Sequence, residues 1–199
     1  ITDGERIHAI AGRLADVGAG RSVTGAWEHD SYCHGYWVDP GRILAGEYPG
    51  DRDPYVARTK VGLLIDHGIR TFVDLTDDDG LDAYAHLVAD AAAMRGLDVR
   101  HVACPIPDMG VLDQPGYDAI CATIRTAAER GGVYVHCWGG IGRTGTVAGC
   151  LLVDAGSSGH QALDRIDELR AVTRKARMAA PQTAAQIEII LERARTANP

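Results

Sequence analysis

Several large classes of protein are excluded by what this chain lacks. No apolar run approaches the roughly eighteen residues that a membrane span requires. The opening, "ITDGERIHAIAGRLADVG", has no charged-then-apolar pattern of a secretory signal. Position 1 is isoleucine rather than methionine, which reads as a trimmed chain. Basic residues are not in excess: 20 Lys and Arg stand against 27 Asp and Glu, for a net charge of −7. A nucleic-acid binder normally shows a basic face, so that class is disfavoured, although a local positive pocket is not. Five cysteines (Cys33, Cys104, Cys121, Cys137 and Cys150) are scattered, odd in number and without a C-x-x-C pair. That suits a reducing cytoplasm better than a disulfide scaffold. Internal repeats and low-complexity linkers are also missing.

What remains is a chain of 199 residues, 46% apolar and 24% charged, sufficient for one soluble domain with a core. Residues 5–17 carry a helical apolar pattern, broken by "GAGRSVTG". Strand-like "GYWV" and "RILAG" flank the turn Asp39-Pro40-Gly41. Then strands ("RTFVDLT", "DVRHVAC", "VYVHC") alternate with helices ("VARTKVGLLIDHG", residues 82–95, "YDAICATIRTAAERGG", "RTGTVAGCLLVDAG"). Two more helices are expected over 159–173 and 181–196, the last opening at Pro181. "PIPDMGVLDQPG", with three prolines, cannot be regular. The alternation implies an α/β fold with a central, mostly parallel sheet flanked by helices. Residues 1–34 read as an N-terminal extension packed on or preceding the domain, and residues 35–199 as the domain itself.

The most informative stretch is "VYVHCWGGIGRTG", Val133 to Gly145. It has the layout of strand, loop and helix, and in open α/β sheets ligands bind where strands end and helices begin. Gly139, Gly140 and Gly142 let the backbone bend tightly and turn its N–H groups inward. The positive end of the following helix points to the same place. This is not the nucleotide-binding loop G-x-x-x-x-G-K-[ST], because there is no lysine. Arg143 stands there instead, and a guanidinium grips two phosphate oxygens at once. Cys137 ends the strand facing this positive field, which favours thiolate over thiol. A thiolate beneath a bound phosphate is a nucleophile aimed at phosphorus. Thr144 adds a hydroxyl suited to the thiolate as it leaves.

"HCWGGIGRTG" resembles the H-C-x(5)-R-[ST] signature of the cysteine-dependent protein tyrosine and dual-specificity phosphatases. "VDPGRILAGEYPG" and "TFVDLTDDDGL" are similar to the branch containing the kinase-associated dual-specificity phosphatases and their bacterial relatives. The resemblance spans about residues 35–196 and leaves 1–34 unplaced. It implies a tyrosine-phosphatase-like three-layer fold and hydrolysis of phosphomonoesters through a cysteinyl-phosphate. Trp138, Gly139, Gly140, Ile141, Gly142 and Arg143 would then hold the phosphate, and His136 would be structural. It also implies an aspartate acid on a loop upstream of the signature. Asp108, 29 residues before Cys137, is the candidate. Asp113 is its rival, with helix capping as its ordinary role. "PQTAAQIEII" resembles the Q-T-A-x-Q segment of tyrosine phosphatases, so Gln182 is expected to position water and Gln186 to help bind substrate.

No cation lies between Cys137 and Arg143, and with the acidic chain this argues for a substrate with one phosphate, protein phosphotyrosine first. Phosphoserine and phosphothreonine stay open. Phosphate, sulfate and vanadate are expected to occupy the same site. Neither a metal nor an organic cofactor is implied. A phosphoprotein-binding module of the same fold is the alternative, opposed by the intact Cys137, Arg143, Thr144 and Asp108. A rhodanese-like sulfur carrier would leave Asp108 and the glutamines without a role. In "HDSYCH", His29, Cys33 and His34 are close together but too few for a metal centre. Cys104 is a candidate disulfide partner for Cys137, or simply a small buried residue. Asp77, Asp78 and Asp79 follow a strand and read either as a solvated turn or as a group orienting Arg143.

Overall fold

The computed structural model describes residues 26–77 and 80–197. The helical pattern of residues 5–17, the break after it, and Asp78 and Asp79 lie outside the described residues. Two short strands come first, β1 (Gly35–Asp39) and β2 (Ile43–Gly46), paired antiparallel across the turn at Gly41. Then follow α1 (Pro54–Asp66), β3 (Ile69–Asp74), α2 (Ala85–Arg95), β4 (Arg100–Ala103), α3 (Gln114–Ala128), β5 (Gly132–His136), α4 (Gly142–Asp154), α5 (Gly159–Arg170) and α6 (Ala184–Ala197). The sheet order is β1-β2-β5-β3-β4, and all pairs but β1–β2 are parallel.

Every residue of β5 is buried. An apolar run without exposed alternation is what a central parallel strand needs, since helices cover both its faces. The faces are shared out with period two. Phe72 and Tyr134 join Leu64, Leu87 and Val88 under α1 and α2. Val73, Val133 and Val135 join Ile120, Ile124 and Val147 under α3 and α4. Helix starts are set by local chemistry: Asp53 caps α1 ahead of Pro54, and Ser158 with Gln161 forms a capping box on α5. Asp113 accepts from the N–H of Gly116 at 2.9 Å and caps α3, which is the ordinary role weighed for it.

Two expected boundaries move. The helix expected over 159–173 ends at Arg170, and a chain of turns runs from 171 to 178. The last helix begins at Ala184, not at Pro181. Thr183 and Gln186 decide this, because the Gln186 N–H donates to Thr183 Oγ1 while Gln186 Oε1 accepts from the N–H groups of Gln182 and Thr183. That reciprocal cap fixes the first turn past the proline.

Residues 26–34 pack against the domain. Trp27 and Cys33 are buried with α1 and α2, and Trp27 Nε1 donates to the Cys33 carbonyl at 2.8 Å. None of the five cysteines forms a disulfide. Burial pushes the Cys33 thiol up to about 11 and the Cys121 thiol up to about 12. No helix among the described residues is long and apolar enough to cross a membrane.

The parallel registers align the strand ends: Gly46 and Asp74 both pair with His136, and Asp74 pairs with Ala103. The segments following β2, β3, β4 and β5 therefore leave the sheet along one edge.

Candidate active site

Cys137 is the first residue beyond the central strand and is 3% exposed. The loop behind it is fixed from outside. Tyr48 N–H donates to the Trp138 carbonyl at 2.9 Å, and Lys175 Nζ donates to the Gly139 carbonyl at 2.8 Å. In a planar trans peptide the N–H points opposite to the C=O. Anchoring those carbonyls therefore turns the N–H groups of Gly139 and Gly140 the other way. Gly140 has φ +70, and a Cβ there would sit 2.5 Å from Gly46 C and 2.7 Å from Glu47 N. Only glycine allows this approach to the end of β2. The loop passes directly into α4, whose first turn has the unpaired N–H groups of every helix start.

Arg143, in that first turn, is 3% exposed. Its Nη1 lies 3.2 Å from the Ile106 carbonyl and 3.5 Å from that of Leu75, and its Nη2 is 3.0 Å from Asp108 Oδ1. Asp108 itself is exposed. It sits in a turn closed by Gly110 N–H to Pro107 O, with Met109 at φ +57, a position where glycine or asparagine is usual. Thr144 is fully buried, with its hydroxyl 3.5 Å from the Gly46 carbonyl.

Beneath the loop runs a buried polar chain. Tyr84 Oη is 2.5 Å from His136 Nε2. Burial holds the Tyr84 hydroxyl far above the usual tyrosine range, so it stays protonated and donates. His136 Nδ1 then carries the ring proton, facing the Cys137 carbonyl at 3.4 Å and Asp74 Oδ1 at 3.9 Å. Burial lowers His136 to about 4, so the ring is neutral at pH 7. For Asp74, burial alone would raise the carboxyl. The hydrogen bond from His101, the charge of His136 when protonated and two bonds from Thr76 outweigh it and hold Asp74 at about 2. His136 thus ties the strand end to Tyr84.

Sequence reasoning missed a second support. Buried Glu47 accepts from Arg174 Nη2 at 2.5 Å, from Lys175 Nζ at 2.8 Å and from the His34 N–H at 3.1 Å. Burial would raise its carboxyl, but the hydrogen bond and charge of Lys175, the His34 N–H and Arg174 together bring it below the ordinary range. Lys175 thereby joins the turns after α5 to both Glu47 and the cysteine loop. The available signal was a single acid at the end of an apolar strand, with a basic pair in "VTRKARM".

The two glutamines part company. Gln182 is exposed on the cleft, whereas Gln186 is 1% exposed and caps α6 while its Nε2 donates to Gly110 O at 3.3 Å. Gln186 thus ties the Asp108 turn to α6. Both side chains press on Gly142, where a Cβ would come 2.6 Å from Gln182 Oε1. One open cleft of about 840 Å³ is lined by Cys137, Trp138, Gly139, Ile141, Arg143, Asp108, Gln182 and Gln186 together. Trp138 stands on its rim, 64% exposed. Asp77 borders a smaller hollow beside Tyr84 and His101 that adjoins Arg143's cleft through Tyr48, Gly80 and Leu81 but does not include Arg143. The Cys33 thiol faces Tyr134 Oη and the His34 ring faces Asp30, so neither side chain joins the His29 ring.

No curated protein is matched by the sequence. Solved structures with the same fold include Tk-PTP in its active form (23% identity over 81% of this chain and 96% of that chain, TM-score 0.64). A kinase associated phosphatase with serine at its catalytic-site cysteine is 25% identical over 79% of this chain and 88% of that one, TM-score 0.60. TpbA of P. aeruginosa is 19% identical over 88% and 99%, TM-score 0.57. The family model described as "Swiss Army Knife protein, DSP-PTPase phosphatase domain", PTP-SAK, matches residues 34–194, from just before β1 into α6, and so includes Cys137, Arg143, Asp108 and both glutamines. By that match, on this fold, the chain belongs to the PTP-SAK family of dual-specificity-type phosphatase domains.

Proposed function

We propose that residues 35–199 form a catalytic domain that hydrolyses protein phosphotyrosine through a cysteinyl-phosphate. One observation carries the reading: Cys137 and Arg143 bracket a glycine loop in the same cleft as Asp108. The Cys137 thiolate attacks phosphorus, an S–P bond forms, the P–O bond to the leaving group breaks, and Asp108 gives that oxygen its proton. Arg143 and the loop N–H groups hold the phosphoryl oxygens as charge gathers on them. Water then attacks phosphorus and yields its proton to Asp108, while the S–P bond breaks and the thiolate leaves. Gln182 is the residue assigned to orient that water. Thr144 is assigned to the departing thiolate, for which its hydroxyl must leave Gly46.

The proposed substrate follows from charge. The loop holds no cation between Cys137 and Arg143, and of the other cations lining the cleft Arg174 and Lys175 are engaged by Glu47 and Lys60 by Asp51, with Arg52 exposed. A single phosphate suffices for such a site, and exposed Trp138 offers its face to a phosphorylated ring. The fold itself is neutral on this point, since TpbA has been solved with pTyr and PTPMT1 with PI(5)P. The unpaired thiols and a thiolate nucleophile both suit a reducing cytoplasm.

The test is hydrolysis of para-nitrophenyl phosphate by wild type, Cys137→Ser and Asp108→Ala, followed by phosphate release from phosphotyrosyl peptides and from a phosphoinositide. Activity that survives Cys137→Ser removes the mechanism. Faster release from the phosphoinositide than from the peptides removes the substrate.

A further inference from the structure

Far along the chain from the cysteine loop, Glu28, His29 and His67 bring three donor atoms together. His29 and His67 face each other with their Nε2 atoms 2.9 Å apart. Glu28 Oε1 lies 3.8 Å from the first of these nitrogens and 3.6 Å from the second. All three donors fall within 4.8 Å of one another. The rings are held rather than loose. Trp27 packs edge-on against both, at 5.0 and 5.2 Å.

The decisive contact is His67 Nδ1, 2.8 Å from the Leu63 carbonyl at the end of α1. A carbonyl only accepts, so Nδ1 carries the proton and the neutral ring presents the lone pair of Nε2 toward His29 and Glu28. A backbone carbonyl behind one ring nitrogen is how metal-binding histidines are usually oriented. Nitrogen ligands about 2.0–2.1 Å from a tetrahedral ion stand about 3.3 Å apart. The pair therefore needs to open by only a few tenths of an ångström. All three side chains reach solvent, with 57% of Glu28, 21% of His29 and 19% of His67 exposed, so an ion has a path in.

We propose that Glu28, His29 and His67 form a site for a zinc-class divalent ion, with two nitrogen ligands, one carboxylate and a fourth position for water. Two imidazoles and one carboxylate suit zinc better than the hard, oxygen-preferring magnesium or calcium. The ion would staple the segment before β1 to the C-terminal end of α1. That segment also holds Asp30, which accepts from His34 Nδ1, from the Gly35 N–H and from the Arg174 N–H. The competing arrangement is a plain hydrogen bond from one histidine to the other.

The experiment uses the whole 199-residue chain carrying Cys137→Ser, so that zinc cannot bind the catalytic-loop thiolate. The protein is stripped with chelator, then titrated with zinc sulfate against a chromophoric competitor. The expected result is one equivalent bound, weakened more than tenfold by His29→Gln and by His67→Gln. Zinc should also raise the melting temperature of the parent but not of those variants, since binding to the fold alone stabilises it. Absence of binding, or one equivalent retained by both histidine variants, overturns the site in favour of the hydrogen bond. If either variant is unfolded in EDTA, Glu28→Gln at an exposed side chain decides: weakened binding supports the site and unchanged binding overturns it.

Discussion

Asp108 Oδ1 lies 3.0 Å from Arg143 Nη2, so the acid assigned to the leaving group rests on the arginine assigned to the phosphate. In the proposed mechanism a phosphate dianion would compete with Asp108 for that guanidinium and free the carboxyl to reach the ester oxygen, which would couple binding to acid release through one hydrogen-bonding group. Asp108→Ala is therefore expected to lower kcat by about 10²–10⁴ while vanadate binds as well or more tightly. Steady-state kinetics with vanadate inhibition measure both, and an unchanged kcat would assign the acid elsewhere.

Removing Glu47 strands two cations. Glu47→Gln keeps the shape but leaves Arg174 and Lys175 without their carboxylate, and Lys175 also anchors Gly139. Arg174 is well exposed, so screening softens the loss. A destabilisation of about 2 kcal/mol is expected, which for this size lowers the melting temperature by about 4–8 °C. Calorimetry tests this, and an unmoved melting temperature would make the bridge ornamental.

Acid should weaken the fold through His136. In the unfolded chain a histidine takes its proton near 6.5, whereas in the fold His136 takes it only near 4. Between those values the unfolded state binds more protons, so stability falls as pH falls, by up to about 3 kcal/mol. Above 6.5 the effect vanishes. Asp74, held at about 2, behaves otherwise: its contribution is complete above about 4 and is lost only as pH drops toward 2. Urea midpoints at pH 7.5 and 4.5 should show a smaller acid loss for His136→Asn than for wild type. Equal losses would place the titrating group elsewhere.

Gly140→Ala puts a methyl group against the backbone of Gly46 and Glu47 at a positive φ. Strain of about 1–3 kcal/mol is expected even after the loop shifts. Because that shift moves the N–H groups around Cys137, turnover of para-nitrophenyl phosphate should fall more than tenfold, beyond any loss explained by unfolding. Wild-type turnover in this variant would show that the close approach is dispensable.

The legible part of the molecule is the part written in local chemistry. "VYVHC" announces a buried central strand, the glycines announce the loop, and Asp113 announces its cap. Proline and irregularity placed Asp108 outside the helices, and the structure brings it to Arg143. What one sequence did not disclose are bonds between distant positions. Tyr84 meets His136 across 52 residues, and Lys175 meets Glu47 across 128. Neither pair leaves a periodic or motif trace. Gln186 illustrates a subtler limit: the motif offers it as a substrate-binding side chain, yet its oxygen is engaged by the cap and its nitrogen by Gly110. His29 was grouped with its neighbours Cys33 and His34, whereas its partner is His67.

The register of β2 against β5 has a consequence for how the molecule is made. Gly46 pairs with His136 some ninety residues later, and Gln182 reaches Gly142 only after α4 and α5 have been traversed. Such non-local pairings are slow to form, because a long loop must close before any bond rewards it. On the ribosome the cleft cannot be complete until residues 182–186 have emerged, well after Cys137 itself is exposed. A nascent chain would therefore add 45 residues, from Cys137 to Gln182, with the reactive sulfur present and its pocket unbuilt.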